Sequence, residues 1–422
     1  MNDPKKSLAP ILTHYTEIEA DYAQGPYIYA TDGRRYLDFT SGIGVTNTGH
    51  CHPKVVAAAQ AQVARLIHGQ ASVVYHKPGL ELVQELQKII PPHLDSYFFT
   101  NSGAEAVEAA MKLARHSTGR PNLIVFQGGY HGRTIGSVSL TTSSPIYHWK
   151  YQPLMPSVYI APFPYTYFYG WSEAQTEAFC LKQLRHVLAS QTAPEETAAM
   201  LIEPVQGEGG YVVPTPGFLA GVQEICRKHN ILFIVDEVQT GFGRTGKWFG
   251  FQHFGVEPDV LVMAKALASG FPLSAIVARA ELMQHSPVGS QGGTYGGNAV
   301  SCAAAVATLR VMAEEGLIEN SARLGKKLLA GLRDLQKRFP AMGDVRGLGL
   351  MVGVEFTTPS GEPDKATATA IRKQCLDAGL ILLPCGTYGN VVRFIPPLVI
   401  NDSQLGDALS TFEGALKAVP AA

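Results

Sequence analysis

Charge is scarce in this chain. Charged side chains make up 16% of its 422 residues and apolar ones 46%, against a usual charged share of about a quarter. A chain this long with so little charge hides much of its surface, in a large core or against other subunits. The charges also nearly cancel, 34 Lys+Arg against 35 Asp+Glu, so no overall field draws it to nucleic acid or to a membrane surface. Cysteines are few: Cys51, Cys180, Cys226, Cys302, Cys375 and Cys385 are scattered, with no C-x-x-C pair. That pattern suggests neither a disulfide framework nor a zinc site, and no metal is expected. No run approaches the roughly 20 apolar residues that span a bilayer. Residues 1–10 are polar and lack a signal-peptide core. The expectation is a cytoplasmic chain with no nucleic-acid or membrane partner.

From about residue 97, short apolar runs alternate with helical patterns, the signature of a mostly parallel sheet covered by helices. Seven strands are predicted, at 97–100, 123–126, 158–160, 199–202, 231–235, 260–263 and 275–277. Between two of them, Thr215 is read as a helix cap, with Pro216 first in the helix. Phe218, Leu219, Val222, Ile225 and Cys226 then fall on one face before Asn230 ends it. After about residue 300 the pattern changes. Helices at 301–315 and 319–339 lead into strands at 344–356, 380–383 and 391–395, and a last helix covers 403–418. The boundaries read from this are an N-terminal segment, 1–48, packing with the small domain, a large domain, 49–310, and a smaller α/β domain, 311–422.

Several short segments carry chemistry together. Asn101-Ser102-Gly103-Ala104 follows a strand and opens a helix, where free N–H groups and the helix dipole favour an anion such as phosphate. Alone it reads equally well as a simple cap by Ser102. Asp236 ends an apolar strand, the edge where open α/β sheets bind ligands. Lys265 ends the next one, and alone could be a surface lysine. Together they are what pyridoxal 5′-phosphate (PLP) requires. An anion nest takes its phosphate, a carboxylate keeps its pyridine nitrogen protonated, and an amine forms the Schiff base and later shuttles a proton.

At this point a resemblance is visible. The sequence resembles the class III (ω-amino acid) aminotransferases of PLP fold type I over nearly its whole length. It is carried by Asn47-Thr48-Gly49-His50, the segment from Asn101, Tyr130-His131-Gly132-Arg133-Thr134, Glu203-Pro204-Val205-Gln206-Gly207-Glu208-Gly209-Gly210, the segment from Asp236, that from Ala264, and Gly293-Thr294-Tyr295-Gly296-Gly297-Asn298. The resemblance implies a large domain with a mostly parallel seven-stranded sheet and a smaller α/β domain. It assigns the PLP phosphate to the N–H groups of Gly103 and Ala104, with Ala104 standing where many relatives carry a hydroxyl. Tyr130 and Val238 would lie on the two ring faces, Asp236 at the pyridine nitrogen, and Gln239 at the phenolic oxygen. Thr294 would reach the phosphate of another subunit, so a homodimer or a dimer of dimers with shared active sites is expected.

For substrates, the resemblance implies an amine donor and a 2-oxo acid acceptor. Arg133 matches the site for the distal carboxylate of 4-aminobutyrate, and Arg393 that for the α-carboxylate of glutamate or 2-oxoglutarate. Arginine suits both because its planar fork takes a carboxylate bidentately. Glu203 is expected to pair with Arg393 when the donor has no carboxylate beside its nitrogen, and to move aside for glutamate. Ile43 matches an apolar pocket residue of bacterial aminobutyrate transaminases. The expected reaction is therefore 4-aminobutyrate transamination by a ping-pong cycle. An acetylornithine or other ω-amine transaminase is the alternative within the family, and a racemase or aminomutase the alternative beyond that reaction class.

Overall fold

The structure is a computed structural model and describes residues 4–419. Residues 1–3 and 420–422, at the outer ends of the first and last expected segments, lie outside the described residues.

Near the N-terminus are β1 (Ala20–Gln24), β2 (Tyr27–Ala30) and β3 (Arg35–Asp38). The central strands are β4 (Ser96–Thr100), β5 (Asn122–Phe126), β6 (Val158–Ala161), β7 (Thr197–Ile202), β8 (Leu232–Asp236), β9 (Val260–Met263) and β10 (Ser274–Ala278). They form one seven-stranded sheet in the order β4-β10-β9-β8-β7-β5-β6. β10 runs against both of its neighbours, and the remaining pairs are parallel. All seven expected strands are therefore present, displaced by at most two residues at an end.

These strands read as continuous apolar runs because both faces are covered. Alternate side chains enter two separate cores. Phe126, Ile202, Val235 and Met263 join the larger one, and Val125, Leu201, Ile234 and Val262 the other, under helix Gly103–Thr118. Helix Phe218–His229 buries the expected stripe and ends at Asn230 in a left-handed conformation. Its start differs from expectation. The N-cap is Gly217, whose N–H is met at 3.0 Å by Glu177 of the neighbouring helix, while the Thr215 hydroxyl is buried with no partner. A carboxylate from across the packing interface replaces the local cap.

Beyond helices Ala299–Glu314 and Leu317–Gln336 come β11 (Met342–Leu348), β12 (Met351–Phe356), β13 (Leu380–Ile381), β14 (Leu383–Cys385) and β15 (Val391–Phe394). A second sheet has the antiparallel order β11-β12-β15-β14. The third sheet is β1-β2-β3-β13, in which Leu37 and Asp38 of β3 pair with Leu380 and Ile381. The two ends of the chain are thus joined by backbone hydrogen bonds. Among the described residues no helix is long and apolar enough to cross a membrane.

Two helical glycines make opposite predictions. A Cβ on Gly325 would lie 2.1 Å from the carbonyl oxygen of Gly349, which is backbone and cannot yield cheaply. Gly325→Ala is expected to lower stability by about 1–3 kcal/mol or more through overpacking. Gly406 has open space where its Cβ would be, so Gly406→Ala should raise stability by about 0.5–1 kcal/mol through helix propensity. Denaturant unfolding of both variants checks the pair.

Candidate active site

Five strand ends meet at one edge of the large sheet, and each delivers a chemical group there. After β4 the chain turns at Asn101-Ser102 into helix Gly103–Thr118, where the Ser102 hydroxyl accepts from the Glu105 N–H at 3.3 Å. β5 leads to Tyr130 and His131, β7 to Glu203, and β8 ends on Asp236. β9 leads through Ala264 to Lys265, whose φ of 47° is left-handed, an uncommon backbone for a residue with a side chain and one that clusters at functional sites.

Together these ends enclose a cavity of about 450 Å³. Gly103, Ala104, Tyr130, Asp236, Val238 and Lys265 line it, as do Arg133, Glu203 and Gln239. Three expected site residues are not on its wall. Ile43 sits half-buried on a turn with φ 69°, and Val45 of the same segment lines the cavity instead. Thr294 is exposed. Arg393 is fully buried in β15, behind the cavity wall.

The polar groups are held firmly. Asp236 Oδ2 accepts from His131 Nδ1 at 2.8 Å, and its Oδ1 accepts from the Val238 N–H at 3.0 Å. Lys265 is pushed below the usual lysine range by burial, opposed by the negative charge of Glu208. A lowered lysine supplies the neutral amine that attack on a carbonyl requires. Arg133 Nε donates to the Tyr130 hydroxyl at 3.1 Å, and its guanidinium lies 4.8 Å from the Tyr147 ring centroid.

The expected pairing of Glu203 with Arg393 is corrected here. Glu203 accepts from the Tyr130 N–H and the Gly207 N–H, both at 2.8 Å. Arg393 is bonded instead to Glu208, five residues along the same loop. The reason is local: the turn after β7 folds the Glu203 carboxylate back onto backbone donors and carries Glu208 outward to β15. Burial raises Glu208, but Arg393 and Lys265 more than offset this and leave it below the usual carboxylate range. Sequence reasoning had the right motif and the wrong glutamate. It also assigned no task to His131, although Tyr130-His131-Gly132 was in view. A histidine placed after one strand of this edge, with an aspartate ending another, is the signal that could have found it.

The cavity suits PLP on its own evidence. The free N–H groups opening a 16-residue helix offer an anion site. Gln239 Oε1 is buried with no partner, leaving an acceptor for a donor that a bound ring would bring. Asp236 and Lys265 supply the carboxylate and the amine within the same walls.

Comparison with known proteins agrees. The family described as Aminotransferase class-III matches residues 12–416. A probable 4-aminobutyrate aminotransferase of Bacillus subtilis is 42% identical over 94% of this chain and 92% of its own. A 5-aminovalerate aminotransferase of Pseudomonas aeruginosa is 41% identical over 93% and 92%. Among solved structures, an amine transaminase from an uncultivated Pseudomonas species, in its PLP-bound form, superposes with a TM-score of 0.93 at 30% identity, covering all of both chains. The chain belongs to the class-III aminotransferases. It is a PLP-dependent enzyme that takes an amino group from a donor and gives it to an oxo acid.

Glu203 and Glu237 are both fully buried and, by burial first, pushed up to about 7 from the usual 4.5. Through these two groups the folded chain binds more protons than the unfolded chain between those values, and their contribution to stability falls as pH rises through that window. Glu203→Gln removes one of the two contributions. Unfolding measured from pH 4.5 to 7 should show a shallower decline in this variant, and an unchanged slope would reject the assignment.

Proposed function

We propose that the enzyme is an ω-amino acid transaminase that takes 4-aminobutyrate as donor and 2-oxoglutarate as acceptor. The observation that carries this reading is the buried pair of Arg393 with Glu208, beside a cavity that also holds Arg133. A single site in a ping-pong cycle must accept two amines of unlike charge. For an ω-amine with no carboxylate next to its nitrogen, Glu208 stays on Arg393 and neutralises it. For glutamate, the α-carboxylate takes the guanidinium and Glu208 withdraws. Arg133 holds the distal carboxylate in both cases. The names of the relatives support the substrate class, since one acts on 4-aminobutyrate and one on 5-aminovalerate.

When bound, PLP supplies an electron-withdrawing ring that stabilises negative charge on the carbon next to the transferred nitrogen. In this reading the chain's own groups do the rest. The N–H groups of Gly103 and Ala104 hold the phosphate, and Tyr130 and Val238 confine the ring. Gln239 meets its phenolic oxygen. Asp236, oriented by His131 and Val238, would pair with the ring nitrogen and keep it protonated. Lys265, with its lowered basicity, would take the proton from the substrate carbon and return it on the far side of the transferred nitrogen. Glu203 acts by fixing the Tyr130 N–H and the turn that presents Glu208. Ile43 stands on the turn that brings Val45 to the cavity and is expected to add apolar surface at its edge.

The active unit in this reading is a homodimer or a dimer of dimers. Exposed apolar side chains support it: Tyr75, Val288 and Tyr295 are 91%, 108% and 63% exposed, apolar surface that a subunit interface would cover. Thr294, on the same loop as Tyr295, is free to enter a neighbouring site. The chain is read as a large unit at 49–310 and a small one at 311–422, and the pairing of β3 with β13 supports the packing of segment 1–48 with the small unit. The exposed free thiol of Cys51 suits the reducing cytoplasm.

Two measurements test the reading. In a donor panel with 2-oxoglutarate, 4-aminobutyrate should exceed 5-aminovalerate, ornithine, N-acetylornithine and β-alanine; preferential use of N-acetylornithine would defeat it. In single-turnover kinetics, Glu208→Ala should slow the ω-amine half-reaction more than the glutamate half-reaction. Loss of one partner of a buried pair costs on the order of 3–5 kcal/mol, enough for a difference of tenfold or more. Equal losses in both halves would remove the switch.

A further inference from the structure

Outside the cavity that holds Lys265 lies a second cleft, of about 460 Å³, which shares none of its wall residues. Glu208 stands on its inner side and is the only acidic residue among those that line it. The opposite wall is helix Lys365–Asp377, which presents Lys365, Thr369 and Arg372 to the cleft. Their spacing of four and then three residues puts them on one helix face.

The cations of this face have no carboxylate to meet. On the same helix Lys373 is paired with Asp377 at 2.6 Å, and Arg310, Arg323, Lys327 and Arg338 elsewhere are all engaged by acids. Lys365 and Arg372 have no such partner among the described residues. Arg372 Nε is buried with no hydrogen bond, as is the hydroxyl of Ser143 on the adjoining wall. Tyr15 lies under the guanidinium at 5.8 Å and keeps it aimed without neutralising it. Glu208 cannot balance these charges because Arg393 holds it. A cleft with two unpaired cations and two orphaned buried polar atoms is built for an anion. Burial and the like charge of Arg393 both push Arg372 below its usual range, with Tyr15 opposing, which shows that the two arginines lie close enough to interact.

We propose that this cleft is an outer carboxylate site that captures dicarboxylic substrates, the 2-oxo dicarboxylate and its amino acid, on the outer side of the Glu208–Arg393 pair. One carboxylate lies on Arg372 and Lys365, with the Ser143 hydroxyl donating to it. The other end then faces Glu208, and the substrate passes inward when its α-carboxylate displaces that residue. A monocarboxylic oxo acid has no second charge to leave in the cleft and gains little from it. The inference rests on the transaminase reading for its substrate class, while the cleft's affinity for a carboxylate does not.

The test uses the holoenzyme and glutarate, a dicarboxylate with no amino or oxo group to react. Calorimetric titration should find one fewer glutarate per chain in Arg372→Met than in the wild type. Arg393→Met should keep that outer glutarate and lose the inner one, and Arg372→Lys should restore it. In steady-state kinetics, Arg372→Met and Lys365→Met should each raise KM for 2-oxoglutarate about fivefold, the loss of one charge-assisted contact, with kcat and the constants for pyruvate held within about twofold. An unchanged glutarate count in Arg372→Met overturns the proposal, as does an equal rise in KM for both oxo acids. Inorganic phosphate displacing the outer glutarate as readily as glutarate itself would also overturn the dicarboxylate assignment. If 2-oxoglutarate proves not to be an acceptor, the proposed choice of acceptor fails on that panel, and the glutarate count still decides the cleft.

Discussion

A charged arginine inside an apolar strand must be answered, and much of this structure is arranged around that requirement. Arg393 lies in β15 between Val392 and Phe394, opposite Gly353 and Leu383 in the neighbouring strands, with 1% of its surface exposed. No residue of its own sheet neutralises it. The carboxylate comes from Glu208, on the loop that follows β7 of the large sheet. That loop is itself fastened along its length. Gly386 donates to the Glu208 carbonyl at 2.9 Å, and Arg346 of β11 donates to the Gly210 carbonyl. The large sheet's loop and the small sheet are therefore bound to each other at the Glu208–Arg393 pair.

The large sheet settles the rest of the geometry. Parallel strands buried on both faces put their carboxyl ends in one row, so residues far apart in sequence become neighbours without any local signal. Tyr130, Glu203, Asp236 and Lys265 arrive on different strands, Asp236 as the last residue of its strand and the others no more than four residues beyond theirs. His131 and the Val238 N–H then fix the Asp236 carboxylate, and Tyr130 and Gly207 fix Glu203. The two carboxylates are thus held by hydrogen bonds from their own turns and from the turn after β5, which adjoins β7 and lies two strands from β8.

Most of this was legible in the order of residues. Strand runs such as those of β5 and β9 are short, apolar and bounded by turn residues, and the helix at Phe218–His229 shows its buried stripe plainly. Asp236 and Lys265 were identifiable because each terminates such a run. Where reading failed, the deciding partner was distant. That helix is capped at Gly217, whose N–H is met by Glu177, and not at Thr215, and the wall residue of the first turn is Val45, not Ile43. The choice between Glu203 and Glu208 was the most consequential case. Both stand in one motif, and only the backbone path after β7 shows that one folds back onto N–H donors while the other reaches Arg393.

The family resemblance alone pointed to Arg133 and Arg393 as carboxylate sites, whereas the sequence by itself determined the alternation of strands and helices, the two-sided burial of the sheet, and an amine, a carboxylate and an anion nest suited to PLP. These follow from local periodicity and from residue types that few other tasks require together. Only the tertiary structure decided which glutamate answers Arg393, that His131 orients Asp236, and that Lys365 and Arg372 face an unbalanced cleft beside them. Each of those depends on electrostatic pairing across elements, and a buried charge is defined by the neighbours that packing brings to it, which no local pattern encodes.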